Sequence, residues 1–187
     1  MSVMDFRKIP DVPTAEQLID FAFRRASKIS LSFKKKTPPI IRARRREEAR
    51  VRTVMQVIRD RLKKIVDSFP FIKELHPFYR DLMDLMVGVD TFRRYLGALN
   101  KATEVVENIA KEHILRIRIA STPREAALER KAAYGRIASF LKELNDKLQF
   151  LKSAREKMVK IPSIDPSVFT IVVTGYPNVV VKKLWKG

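Results

Sequence analysis

The sequence contains no cysteine, and this absence excludes several kinds of site. Without thiols the chain forms no disulfide and binds no metal through thiolate, which fits a reducing compartment. Only two histidines occur, His76 and His113, and they lie far apart, so we expect no metal site. The N-terminus lacks the apolar core of a signal peptide, and no stretch approaches the roughly 18 apolar residues of a membrane-spanning helix. These absences predict a soluble, cytoplasmic protein with no membrane partner.

Acidic residues are scarce relative to basic ones. The 187 residues include 39 Lys and Arg against 21 Asp and Glu, which gives a formal net charge of +18. Between Arg24 and Lys64 there are 16 basic and only 3 acidic residues, a local excess of +13. Such a concentrated positive field is typical of a protein that binds a polyanion. We expect RNA rather than a phospholipid surface, because no strongly hydrophobic face lies opposite these charges for insertion.

Apolar residues recur at helical spacing over most of the chain, which predicts an all-α helical bundle of about five helices. The expected helices cover residues 14–29, 40–68, 77–87, 90–120 and a last segment from Thr122 to as far as Lys160. The last two are each about thirty residues or longer and are joined by a tight turn. We therefore expect them to form a long antiparallel helical hairpin.

Local signals mark several helix ends. Thr14 and Thr122 are each followed three residues later by Gln or Glu, the spacing of a capping box. Asp90 is the expected N-cap of the fourth helix, and Gly88 fits the C-terminal cap of the third.

The last predicted helix carries apolar residues at alternating steps of four and three, as in a coiled-coil seam. These residues are Ile137, Leu141, Leu144, Leu148 and Leu151. If the seam is internal core, the chain is a monomer, which is our expectation. If the seam is exposed, it predicts a dimerising scaffold for protein interactions.

Helical periodicity ends near residue 161, and β-branched residues take over. We place a domain boundary here, with a helical domain at 1–165 and a short C-terminal β-stub at 166–187. Phe169–Thr174 has the composition of a buried strand. The residues that follow it, Gly175, Tyr176, Pro177, Asn178 and Val179, match the opening of a phosphate-binding loop.

The rest of that loop departs from the pattern G-x-x-x-x-G-K-[ST]. Val180 occupies the position of the second glycine, Val181 that of the lysine, and Lys182 that of the hydroxyl residue that binds Mg²⁺. A branched side chain in the cradle and the loss of the cation predict that this chain binds no nucleotide and needs no cofactor. Retained nucleotide binding and hydrolysis is the alternative.

The basic segment is the main candidate site, and no residue pattern indicates a catalytic one. The candidate RNA-binding residues are Lys34, Lys35, Lys36, Arg42, Arg44, Arg45, Arg46, Arg50 and Arg52. Arginines contact phosphates in a bidentate manner, although a solvated helix face is the ordinary alternative. Aromatic residues cluster between Phe69 and Tyr95, where we expect core packing and consider a partner-binding groove as the alternative.

Three stretches, Thr53–Leu62, Phe69–Tyr79 and Phe169–Val179, together resemble the nucleolar-type GTP-binding proteins in their archaeal form. These are ribosome-assembly GTPases of the Obg-related branch. The resemblance covers the chain from about Val12 to Val179. It implies a helical domain that docks on ribosomal RNA of the pre-ribosomal large subunit, followed by a domain that hydrolyses GTP with Mg²⁺. For this chain we expect a truncated start of that second domain, from a shortened chain, a frameshift or a degenerate gene.

Overall fold

The computed structural model describes residues 6–161 and residue 168, and within them it is all-helical, as predicted. The helices are α1 (Ala15–Ser27), α2 (Pro39–Ser68), α3 (Pro77–Val87), α4 (Val89–Ile119), α5 (Pro123–Glu143) and α6 (Asn145–Met158). Short 3₁₀ turns lie at Phe6–Lys8 and Ile72–Glu74. The predicted strand at Phe169–Thr174 lies outside the described residues.

Two predicted threonine caps are confirmed. Thr14 Oγ1 accepts a hydrogen bond from the Gln17 amide, and Gln17 Oε1 accepts one from the Thr14 amide at 2.9 Å, so the capping box of α1 is complete. Thr122 Oγ1 accepts from the Glu125 amide at 3.1 Å, but Glu125 Oε2 accepts from Ser121, one residue before the cap. The start of α5 is therefore fixed by the same two side chains in a slightly wider arrangement.

The prediction that Asp90 caps α4 is wrong. The helix begins one residue earlier, and its first amide, that of Val89, donates to Oδ1 of Asp84 in the preceding helix at 2.9 Å. Gly88 between the two helices has φ +80°, a conformation that glycine adopts without steric cost. This glycine ends α3, as predicted, and lets the chain turn at once into α4.

The predicted single helix from Thr122 to Lys160 is interrupted at Leu144, which raises the count of α-helices in the described residues to six. Leu144 has ψ −7°, away from the ordinary helical value. Asn145 Oδ1 next to it accepts a hydrogen bond from the Ala15 amide at 3.2 Å. A contact with the start of α1 therefore coincides with the break, and the apolar spacing continues through it.

The antiparallel hairpin is confirmed, with α4 as one arm and α5 followed by α6 as the other. His113 Nδ1 lies 2.9 Å from Glu129 Oε2 near the turn, and Tyr95 packs edge-on against Phe150 at 4.9 Å near the opposite end. Helix α2 packs along α4 and α5, and α1 covers α2 and α5. All five residues of the predicted seam are buried, so the seam belongs to the core and is not an exposed surface for dimerisation.

Candidate nucleic-acid interface

The predicted basic residues lie on the N-terminal half of α2 and in the loop that precedes it. Lys34, Lys35 and Lys36 are exposed in that loop, and the six arginines occupy the first four turns of the helix. Proline at the start of α2 suits a helix N-terminus, because its missing N–H would be unpaired there in any case. The structure thus brings the nine residues together, but it gives them different contacts.

Arg42 and Arg44 act as anchors within the fold. Arg42 Nε donates to the Thr37 carbonyl at 2.7 Å and Nη2 donates to the Lys35 carbonyl at 2.8 Å, which ties the lysine loop to α2. Arg44 Nε donates to the Ala120 carbonyl at 2.9 Å, where α4 ends. These two side chains position the surface around them.

Glu47 is the centre of a buried ion network. It is only 3% exposed and accepts hydrogen bonds from Arg46 and Arg50 of α2 and from Arg130 of α5. A carboxylate at this depth requires such compensation, because an unpaired buried charge is very costly. Three guanidinium groups share one carboxylate, so the network as a whole stays positive.

Arg130 is held on a second side by an aromatic pair. Its guanidinium carbon lies 5.1 Å from the centre of the Tyr134 ring, and Tyr134 stacks on Phe23 with ring centres 4.4 Å apart. Burial is the main cause that raises the pKa of the Tyr134 hydroxyl above its usual value near 10.0. Contacts to both the carboxylate and the ring leave the Arg130 side chain little rotational freedom.

Glu48 organises a second pair of arginines. It accepts two hydrogen bonds from Arg118 of α4, from Nε at 3.0 Å and from Nη2. It accepts a third from Nη2 of Arg52 at 2.8 Å. The hydrogen bond from Arg118 is the largest cause of the lowered pKa of Glu48, and burial opposes it. Bidentate pairing fixes the plane of a guanidinium as well as its position.

We use the name arginine array below for the five arginines that Glu47 and Glu48 bind and for the exposed Arg45 beside them: Arg45, Arg46, Arg50, Arg52, Arg118 and Arg130. The side chains of Arg46, Arg52 and Arg118 remain 49%, 47% and 52% exposed although they are paired. Each guanidinium has five N–H donors, so donors remain for an anion. Within the described residues, Arg45 and the three lysines have no ion pair.

Sequence reasoning missed Arg118 and Arg130. They lie 70 and 83 positions from the glutamates they contact, on helices whose local charge is ordinary. The only signal in the sequence was indirect: Glu47 and Glu48 are adjacent acids within a stretch of arginines. Which distant cation each glutamate would recruit depends on how α4 and α5 pack on α2.

The aromatic cluster and the loop motif have separate outcomes. Phe69, Tyr79 and Phe92 are buried, as core packing predicts, whereas Phe71 is 77% exposed and lines an open groove with Phe69 and Phe92. The predicted loop at 175–179 lies outside the described residues.

Over residues 6–161, no group of three or more His, Asp or Glu is placed to hold a metal ion. None of the described helices is long and apolar enough to cross a membrane.

The structure therefore defines an all-α helical domain with an arginine-rich face on its second helix. The family model for the NOG1 N-terminal helical domain matches residues 6–165, and the chain belongs to that family. The chain is 35% identical over 93% of its length to an uncharacterised protein of Methanocaldococcus jannaschii, and 33% and 30% identical to nucleolar GTP-binding protein 1 of Drosophila melanogaster and Saccharomyces cerevisiae.

The similarity to the fly and yeast proteins extends over 96% and 94% of this chain, but the chain spans only part of each relative. It corresponds to 50% of the M. jannaschii protein and to 28% and 27% of the fly and yeast proteins. The similarity therefore concerns the helical domain, and the activity of the whole relatives is a separate question.

Proposed function

We propose that this chain binds ribosomal RNA of the pre-ribosomal large subunit, as the docking domain of a ribosome-assembly protein. The observation that carries the proposal is the arginine array, in which Glu47 and Glu48 hold the exposed guanidinium groups of Arg46, Arg52 and Arg118. Membership in the family supports the ribosomal setting, since its relatives in fly and yeast are named nucleolar GTP-binding protein 1.

The expected chemistry is recognition of the phosphate backbone. Guanidinium groups pair with phosphate oxygens in a planar, bidentate geometry, and binding releases condensed counterions. Lys34, Lys35 and Lys36 would add mobile point charges beside the array. The contacts that position the array give no preference for one base over another. We therefore expect the protein to recognise the backbone and the shape of the RNA.

The test is a titration with a fragment of large-subunit ribosomal RNA at several salt concentrations. We expect the logarithm of affinity to fall linearly with the logarithm of salt, by about 0.7–0.9 for each phosphate contacted. The double variant Arg45→Glu/Arg52→Glu should weaken binding and reduce that slope. Arg42, Arg44 and Arg46 are left intact because their contacts belong to the fold and to the buried Glu47 network.

A matched control reverses the charge of two exposed lysines on other helices, Lys101→Glu on α4 and Lys142→Glu on α5. It changes net charge by the same amount, but the sites lie about 18–25 Å along their helices from the array. Equal loss in both double variants, or affinity that ignores salt, would contradict binding through the array.

Nucleotide binding is the second candidate, favoured by the match of residues 175–179 to a phosphate-binding loop. We propose that this chain binds neither GTP nor GDP, because Val180 and Val181 replace the glycine and the lysine that such a loop uses. Calorimetric titration with GDP and Mg²⁺ should give no heat of binding. Micromolar affinity would refute this and support a GTP-binding role for the chain itself.

A further inference from the structure

An open groove of about 560 Å³ lies between α1 and α2, beside the arginine array but separate from it. Phe21 and Arg25 of α1 line one side, and Gln56, Asp60, Arg61 and Lys64 of α2 line the other. Its volume falls within the usual range for small-ligand sites, about 300–1,000 Å³.

Phe21 is unusual for its position in α1. The neighbouring Leu18 and Ala22 are buried in the core, whereas the Phe21 ring is 44% exposed and faces the groove. The guanidinium carbon of Arg61 lies 5.5 Å from the centre of that ring. Exposed aromatic rings flanked by arginine are the surfaces on which proteins stack unpaired bases.

The charges in the groove are also incompletely balanced. Asp60 is its only acid, and one of its oxygens already accepts two hydrogen bonds from Arg59, at 3.0 and 3.1 Å. Within the described residues, Arg25 and Lys64 have no ion pair. The groove therefore joins an apolar ring to spare positive charge, which suits a ligand with a flat face and an anionic group.

Continuity with the arginine array favours RNA as the source of that ligand. Arg45, Arg52 and Gln56 follow the spacing i, i+7 and i+11, so they lie on one exposed face of α2. The distance from Arg45 to Gln56 along the helix axis is about 16 Å. A strand whose phosphates contact the array can thus continue directly to the groove.

We propose that this groove holds one unpaired nucleotide, with its base on Phe21 and its phosphate between Arg25 and Lys64. Gln56, which offers both a donor and acceptors, faces the edge of the base. The proposal rests on RNA binding through the array, and it adds a preference for single-stranded RNA next to a duplex. An acidic peptide with an aromatic side chain is the competing ligand.

The experiment compares two RNAs with the same stem, one blunt-ended and one carrying a short single-stranded extension with 2-aminopurine. Phe21→Ala should weaken binding of the extended RNA about 5- to 100-fold and leave the blunt duplex unchanged. Base fluorescence, quenched by stacking in the wild type, should stay high in the variant. Phe21→Trp should retain both affinity and quenching.

Phe78→Ala is the matched control, because Phe78 has the same 44% exposure but lies on α3, outside the groove. Circular dichroism and thermal unfolding check that each variant folds. If Phe21→Ala binds the extended RNA as well as the wild type does, or weakens both RNAs equally, the groove proposal is wrong while RNA binding stands. Failure of the wild type to bind either RNA would overturn both the groove proposal and RNA binding. In that case, saturable binding of an acidic peptide that is abolished by Phe21→Ala would show that the groove binds peptide.

Discussion

Replacing Glu47 with Gln tests whether the buried carboxylate holds the arginine array together. The substitution keeps the size of the side chain but leaves Arg50 and Arg130 without their shared anion. Removing one partner of a fully buried pair costs about 3–5 kcal/mol. Here the Arg50 and Arg130 side chains are 27% and 20% exposed, so water partly compensates them, and we expect a loss of about 2–3 kcal/mol.

For a chain of this size each kcal/mol lowers the melting temperature by about 2–4 °C, so the expected drop is about 4–12 °C. Urea denaturation followed by circular dichroism gives the free energy directly, with an unchanged m-value if the fold is retained. Glu143→Gln, at an exposed carboxylate on α5, is the control and should change stability by less than about 0.5 kcal/mol. An equally small effect at Glu47 would refute its role as the organising group.

Three further predictions concern acid, backbone strain and the core. Hydrogen bonds from arginines are the largest cause of the lowered pKa of Glu48, Glu107 and Glu112. Because the folded-state pKa values of these carboxyls lie below 4.5, their contribution to stability is complete above pH 4.5 and is lost as the pH falls below it. Urea denaturation between pH 7 and pH 3 will measure this loss. Gly88→Ala should destabilise the chain by about 1–3 kcal/mol in thermal unfolding, because φ is +80° there. Leu148→Ala should cost about 2–5 kcal/mol in urea without producing a dimer in sedimentation, since the residue is 1% exposed.

Local chemistry made several helix ends predictable. Thr14 and Thr122 accept hydrogen bonds from amides within the first turn of their own helices, so a window of a few residues contains the whole cause. Asp90 misled the prediction because Asp84 of the preceding helix already satisfies the first amide of α4. That bond depends on the turn at Gly88, which a capping pattern does not describe.

Contacts between distant residues account for what could not be predicted. The break in the last predicted helix occurs beside Asn145, whose partner amide belongs to Ala15, 130 positions earlier. The division of the basic segment has the same origin: Arg44 bonds to the carbonyl of Ala120, whereas Arg45, one position on, points to solvent. Charge density located the surface, but only the packing of α4 and α5 on α2 separates anchoring arginines from available ones.

The two glutamates would have opposing effects on the proposed RNA-binding surface. Each cancels one positive charge and so weakens the long-range attraction that accelerates association. Each also orders arginines that would otherwise lose about 2 kcal/mol of rotamer entropy per side chain on binding. With Glu47 holding three guanidinium groups, we expect the ordering gain to exceed the screened cost of one charge at physiological salt. The Glu47→Gln variant should therefore bind RNA more weakly than the wild type despite its higher net positive charge. If charge density alone determined affinity, the variant would bind RNA more tightly.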